Sequence, residues 1–528
     1  MFSNTTAELS LNIPSKCINS IPNDTSNHRF IVGTCASSSL SSSSSSSHRV
    51  PSNSLYLLRY HEEMNEIAVD AQLDFGNDEG CGEIWSMSSC PMDKTLVITC
   101  RSTNDNTSGS RCETALWRIP EKSMKEDEID FYTEDDRNIG GVGGSSQGME
   151  ENDRNYSSDI NETLEKVCVL TDDDQRNYNE SSSAILKGRV SDMQWNPECL
   201  PNMDEGSLGG INFVTVDYCI DGSPTLTTWD MNTSSVIPVS RLSITSSESK
   251  TVMNAITVPN PPKCSWDPHN TNLCAVTTGP SVAIVDNRTS QIELTLKQCH
   301  KFGVTDLDHN PNKPNILSTC GQDSLVKFWD LRYTMSSSTA FDDLTNKGSS
   351  SSSLGKKYHP LRILQGGHTH WIPRIQYNSF HDQLLLSGGS DGIVNLWRIS
   401  SISSAPLLDL GSTSNNNVDM DNKNIGMKTD FSNFDDDEEE ENLRKALNDD
   451  TEDLSFSGQQ NLGQNTNQNG DSDGMNAPDI RVAKMEMRDA VYDLDWSAAD
   501  PWIYVTLSYD GNVVLNHVPS KEKYKILL

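Results

Sequence analysis

The sequence predicts an all-β protein, a seven-bladed β-propeller interrupted by long acidic and serine-rich insertions that are expected to be disordered. Three observations point there. A set of four residues occurs twice with one spacing: His300, Thr319, Asp323 and Trp329, then His368, Ser387, Asp391 and Trp397, with the last three lying 19, 23 and 29 residues beyond the histidine in both copies. Six segments share the pattern of a first strand that ends in an aromatic or small residue and a turn: "EIWSMSSCP" from Glu83, "VSDMQWNP" from Val190, "KCSWDP" from Lys263, "VTDLDHNP" from Val304, "IPRIQYNS" from Ile372 and "VYDLDWSA" from Val491. Each is followed by a matching third strand, namely "ALWRI", "LTTWDM", "VAIVDNR", "VKFWDLR", "VNLWRI" and "VVLNHV". With an N-terminal unit this makes seven.

The recurring four residues form a relay. A Trp indole N–H donates to a hydroxyl on the neighbouring strand, the hydroxyl meets a His from the preceding loop, and an Asp in the tight turn fixes that His. A buried indole or imidazole without a partner costs roughly 1–3 kcal/mol, so the four are useful only together. The stretches Gln298 to Arg332 and Gly366 to Arg398 therefore resemble WD repeats, a family whose ~40-residue units each make one four-stranded blade of a closed propeller.

Taken in order, Leu9, Leu11 and Ile13 alternate in a first strand from Ala7 to Ile13, and Arg29 to Cys35 reads as a second. The serine run Ser37 to Ser47 has nothing to bury and is a loop. "SLYLLRY" and "EIAVDAQLDF" then complete an irregular blade over 6–75. Further blades are expected at 80–170, 186–258, 260–297, 298–365, 366–486 and 487–528, with "TLEKVCVL", "PLRILQ" and "IRVAKME" as fourth strands. Pro373 lies inside a first strand, where an edge facing the channel tolerates its missing N–H. In the last blade the relay has decayed: Thr506 and Asp510 remain, with Asn516 in place of Trp and Met487 in place of His. How the ring closes is open between "KYKILL" and residues before Ala7 as the last outer strand.

Insertions at 36–53, 121–161, 334–359 and 401–479 are serine-rich, asparagine-rich or acidic, a composition that cannot bury a core. The last three each separate a third strand from a fourth. They are expected to crowd one face of the ring and to leave the other clear for the main partner.

The 528 residues carry a formal net charge of −34. Residues 121–180 hold 18 acidic and 6 basic residues and 402–480 hold 18 and 4, so 26 of the 34 excess negative charges sit in or beside the insertions. A body without a basic stripe is a poor binder of phosphate backbones, and nucleic acid is not an expected partner. The N-terminus lacks the charged start and apolar run of a signal peptide, and no stretch approaches the ~18 apolar residues of a span. A cytoplasmic protein is expected. Thirteen cysteines with no C-x-x-C spacing fit buried thiols better than a disulfide framework or a zinc site, and no metal or cofactor is expected.

Several motifs resolve to plainer readings. His300 with Thr319 and Asp323 has the residue types of a nucleophile triad, but its hydroxyl is committed to an indole and the set occurs twice. Gly388 to Gly392 matches G-x-S-x-G, yet lies in a hairpin turn and opens no helix. "GGVGGSSQG" from Gly140 lacks a P-loop Lys, and the stretch from Asp419 has Lys423 and Asn424 where a calcium loop needs a ligand and a Gly. The run Asp435 to Glu441 is a solvated acidic segment able to attract basic partners. No catalytic residue is assigned.

Trp329-Asp330-Leu331-Arg332 resembles the short box by which some propellers dock onto the adaptor of cullin-type ubiquitin ligases, with Asp330 and Arg332 as docking residues. A broader likeness covers every proposed blade and none of the insertions. "CGEIW", "HNPNKPNILSTCGQDSLVKFWDLR", "GHTHW", "FHDQLLLSGGSDGIVNLW", "SSISSAP" and "RDAVYDLDWSAADPWIYVTLSYDGNVVLNHVPSKEKYKILL" resemble the WD-repeat proteins that interact with the EARP and GARP vesicle-tethering complexes. The chain departs from them in its longer insertions, in Pro373 and in Val285, which stands where a Trp is usual. The resemblance implies a non-catalytic adaptor whose partners are tethering-complex subunits. It implies peripheral residence at the trans-Golgi network and endosomes, in support of endosomal recycling and retrograde transport. The alternative is a substrate receptor of a cullin ligase acting through Asp330 and Arg332.

Overall fold

The computed structural model describes residues 6–36, 53–76, 81–105, 109–124, 161–170, 189–198, 211–218, 223–231, 236–244, 260–332, 359–405 and 479–527. The strands fall into seven sheets, antiparallel except for one parallel pair in the first. Strand β1 (Ala7–Ser10) precedes the first complete blade, which holds β2 (Ser15–Ser20), β3 (His28–Thr34), β4 (Leu55–His61) and β5 (Glu66–Asp74). The second has β6 (Cys81–Ser89), β7 (Leu96–Asp105) and β8 (Gly109–Arg118); β9 (Asn161–Thr163) then runs parallel to β5 as a fifth strand of the first blade, and β10 (Glu165–Val169) returns to the second.

The third blade is β11 (Arg189–Trp195), β12 (Ile211–Tyr218), β13 (Pro224–Met231) and β14 (Val236–Ser243); the fourth is β15 (Cys264–Trp266), β16 (Leu273–Thr278), β17 (Ser281–Asp286) and β18 (Gln291–Leu296). The fifth is β19 (Val304–His309), β20 (Ile316–Gly321), β21 (Val326–Asp330) and β22 (Arg362–Leu364), and the sixth is β23 (Arg374–Tyr377), β24 (Leu384–Gly388), β25 (Ile393–Arg398) and β26 (Ile480–Glu486). The seventh has β27 (Val491–Trp496), β28 (Ile503–Ser508) and β29 (Asn512–His517), with β1 as its outer strand. The first strands β2, β6, β11, β15, β19, β23 and β27 touch in sequence and return to β2, which closes the ring around a channel.

The core is divided among the seams. Seven apolar clusters occur among the described residues, one between each neighbouring pair of blades. Inner and middle strands are therefore covered on both faces and read as continuous apolar runs, as in Leu384-Leu385-Leu386, each below 1% exposed. Outer strands are the more exposed, and β14 shows a strict half-buried, exposed repeat.

Four expectations change. The N-terminal strand leaves the first blade and pairs with β29, Ala7 opposite Leu515 through Ser10 opposite Asn512. It ends at Ser10 because Asn12 adopts a left-handed φ of 55°, which turns the chain into β2. The described residues of "KYKILL" form no strand but lie in helix α1 (Ser520–Leu527), where Glu522 and Arg398 make a buried ion pair at 2.5 Å. Pro373 precedes β23 instead of lying within it. Some described ends of the insertions are ordered: Glu121–Met124 is a 3-10 turn with Met124 buried, and Asn161 belongs to β9. Asp479 clasps Ser401 by two hydrogen bonds of 2.9 and 2.6 Å at the neck of another. The remainder of the insertions, with the motifs at Gly140, Asp419 and Asp435, lies outside the described residues.

Candidate functional site

The first strands leave one backbone edge without a ladder partner, and side chains of the preceding blade satisfy it. Asp192 of β11 accepts the amide of Cys264 at 2.9 Å, Asp306 of β19 that of Ile375 at 2.9 Å, and Asp493 of β27 that of Ile18 at 2.9 Å. One step further along, Asp308 takes the amide of Tyr377 at 2.8 Å and Asp495 that of Ser20 at 2.7 Å. These carboxylates tie each inner strand to the next by charge-assisted bonds.

The same level carries alternating charge over five successive blades: Asp192, Lys263, Asp306, Arg374 and Asp493. Lys263 pairs with Asp192 at 3.3 Å, and Arg374 bridges Asp306 at 3.3 Å and Asp493 at 2.7 Å. Burial would lower the pKa of Arg374, but the surrounding aspartates outweigh it and keep the guanidinium charged. Burial pushes the carboxyls of Asp306 and Asp493 up, against the pull of Arg374. Asp308 is pushed up to about 7, by burial first and then by Asp306 beside it.

A cavity of about 700 Å³ occupies the channel, and its lining includes Asp192, Lys263, Arg374, Asp493 and Asp495. At the mouth where the inner strands begin stand Trp371, 45% exposed, and Tyr492, 40% exposed, with Phe302 at 56% on the neighbouring blade. Trp371 is pre-set for contact. His370 stacks on it with centroids 5.3 Å apart, and its carbonyl accepts the amide and hydroxyl of Ser390 at 2.8 and 2.9 Å. The three long insertions connect third to fourth strands, whose turns open on the opposite face.

The two sets of four residues lie between strands, away from the channel. Trp329 donates to Thr319 at 2.9 Å, Thr319 and His300 Nε2 are 2.9 Å apart, and His300 Nδ1 meets Asp323 at 2.7 Å. The second set repeats this at 2.9, 2.8 and 3.3 Å through Trp397, Ser387, His368 and Asp391. Burial holds both histidines below their ordinary pKa despite the carboxylate, so each is neutral. Burial acts to raise Asp323, but the bond to His300, the Lys301 amide and Lys327 bring it to about 2. Thr319 and Ser387 are fully buried, which leaves neither hydroxyl open to a substrate.

A third Trp–hydroxyl pair, Trp229 to Thr215 at 2.9 Å in the third blade, was hidden from spacing because no His accompanies it. In the seventh blade Thr506 faces the Met487 sulfur at 3.7 Å and the Val514 carbonyl at 3.2 Å. Arg332 is 55% exposed, yet its guanidinium is turned onto its own neighbour, Asp330, by bonds of 3.0 and 2.7 Å.

Comparison with known proteins agrees with this architecture. The model of the EIPR1 β-propeller family matches residues 230–397. EARP and GARP complex-interacting protein 1 of Homo sapiens is 27% identical over 478 residues, 90% of each chain. This chain is a seven-bladed β-propeller similar to the EARP- and GARP-interacting proteins. EARP-interacting protein 1 of Caenorhabditis elegans is 30% identical over 264 residues, 50% of this chain and 52% of the relative. WD repeat-containing protein DWA2 of Arabidopsis thaliana is 22% identical over 96% of this chain and 95% of its own length. No described helix of this propeller is long and apolar enough to cross a membrane.

The aspartates of the inner ring were absent from the sequence reading, although "VSD", "VTD" and "VYD" place Asp192, Asp306 and Asp493 identically after a Val. That repeated Val-x-Asp is the signal that finds them.

Proposed function

We propose that this propeller is a non-catalytic adaptor that binds the EARP and GARP tethering complexes, peripherally recruited at endosomes and the trans-Golgi network, and supports endosomal recycling and endosome-to-Golgi retrograde transport. The observation that carries the reading is the likeness to EARP- and GARP-interacting proteins over 90% of the chain, which spans the whole ring and not one blade. The mouth with Trp371, Tyr492 and Phe302 supplies the contact surface: rigid aromatic anchors on the face opposite the three insertions that join third to fourth strands. The four-residue sets act as structural relays that hold two blades together, and no residue is assigned to catalysis. Among the described residues no group of His, Cys, Asp or Glu gathers as a metal site, and the adaptor reading calls for no cofactor.

The tagged chain is to be recovered from cytosol and its partners identified by mass spectrometry, for wild type, Trp371→Ala and Arg332→Ala. Tether subunits are expected with wild type and Arg332→Ala, and at reduced yield with Trp371→Ala. Absence of tether subunits from the wild-type sample sinks the adaptor reading. Capture of a cullin-ligase adaptor that disappears with Arg332→Ala would put the ligase reading in its place.

A further inference from the structure

We propose that the channel is a receptor for one cationic side chain, lysine or arginine, presented by an extended segment of a protein partner that enters beside Trp371 and Tyr492; this rests on the adaptor reading and names its recognition chemistry.

Space, charge and unused hydrogen-bonding capacity agree. The cavity of about 700 Å³ touches both the aromatic mouth and the deeper level of Asn19, Gln376 and Asp495. That level presents acceptors. Asp495 takes the Ser20 amide and hydroxyl on one oxygen and, on the other, the Gln376 side-chain amide at 2.8 Å and the Trp496 backbone amide at 2.9 Å, so the unused capacity of this level lies in its uncompensated charge and in the neighbouring amide oxygens. No ammonium or guanidinium of a described residue lies within ion-pairing distance of it, whereas Asp192, Asp306 and Asp493 above each have one. Asn19 Oδ1 and Gln376 Oε1 are buried without a donor.

Of the charged groups that line the cavity, Lys263 is paired with Asp192, Arg374 with Asp493 and Lys16 with Glu83, which leaves Asp495 as the lining carboxylate without a cation of its own among the described residues. A side chain bearing several N–H donors and one positive charge satisfies Asp495 and both amide oxygens at once. An acidic or neutral side chain adds repulsion or leaves the acceptors unpaired. The rings of Trp371 and Tyr492 at the entrance offer faces on which a guanidinium or ammonium is attracted.

The test uses the full chain, immobilised, and four heptapeptide libraries with randomised flanks and a fixed central arginine, lysine, alanine or glutamate. Wild type is expected to retain the arginine and lysine libraries at least about tenfold over the other two, less so in high salt. Gln376→Lys places an ammonium of the chain's own against Asp495, where the Gln376 amide now sits. This variant is expected to keep the wild-type unfolding midpoint and to lose the preference. Equal retention of all four libraries by wild type, or a preference that survives Gln376→Lys, overturns the proposal.

Capture of tether subunits by the same two proteins separates the readings. Capture that persists undiminished in Gln376→Lys sinks the channel receptor and leaves the adaptor. A cationic preference abolished by Gln376→Lys, with no tether captured by wild type, sinks the adaptor and upholds the receptor.

Discussion

The carboxylate of Asp493 accepts the backbone amide of Ile18 at 2.9 Å, a bond between residues 475 apart that fastens the last blade to the first. The same carboxylate pairs with Arg374 at 2.7 Å. Asp493→Ala is therefore expected to leave a buried amide and a buried guanidinium short of a partner and to destabilise the ring by about 3–5 kcal/mol, measured by denaturant unfolding. A variant as stable as wild type would show that the staple is dispensable.

Closure has a second component in β1. Ala7 and Leu9 pack in the seam between the last and first blades, and four residue pairs join β1 to β29. Deletion of residues 1–10 bares the edge of β29 and is expected to lower the unfolding midpoint and to promote self-association through that edge, read by light scattering. A monodisperse deletion with unchanged midpoint would contradict this.

The relays predict an ordered series. Thr319→Val strands the Trp329 indole and His300 together, and about 2–4 kcal/mol is expected to be lost; Ser387→Ala should behave alike. Thr506→Val removes a hydroxyl that meets only a sulfur and a carbonyl, so less than about 1 kcal/mol is expected. Equal losses at all three positions would refute the distinction.

Stability should respond to acid with a definite sign. His300 and His368 are buried neutral with folded pKa values below the ordinary one, so their contribution is complete above about pH 6.5 and is lost as pH falls below it. Substitution of both histidines by glutamine should flatten the fall in stability between about pH 6.5 and 5, measured by thermal unfolding across that range. An unchanged slope would argue against the neutral form.

Asp308 runs the other way. Its folded carboxyl, raised to about 7 from an ordinary 3.8, holds its proton in the folded chain where the unfolded chain ionises. The resulting penalty is complete above about pH 7 and fades as pH falls toward 4. Asp308→Asn keeps an acceptor for the Tyr377 amide and is expected to stabilise by about 1–2 kcal/mol at pH 8, with the gain vanishing near pH 4. A variant that is no more stable at pH 8 would show that the carboxylate is compensated.

Seven blades and two complete relays were legible in the amino-acid order because each relay is assembled within a single repeat. His300 and Trp329 are 29 residues apart, and the turns between them admit one hydrogen-bonded geometry, so the spacing itself records the contact. The run Leu384-Leu385-Leu386 is a strand covered on both faces in the folded ring. The partners of Asp192, Asp306 and Asp493 could not be read the same way. Each aspartate bonds to a backbone amide in the following blade, any residue type can supply that amide, and the intervening insertions vary in length.

The outer strand of the last blade was illegible for a related reason. Ala7–Ser10 alternates as well beside β2 as beside β29, and only the completed ring brings β29 within reach. What the sequence determined by itself was the repeated unit and its internal polar relay, which depend on residues close together in the chain. What the tertiary structure alone decided was closure, the ring of alternating charge and the aromatic mouth, since each is made by side chains that meet only after the blades have turned full circle.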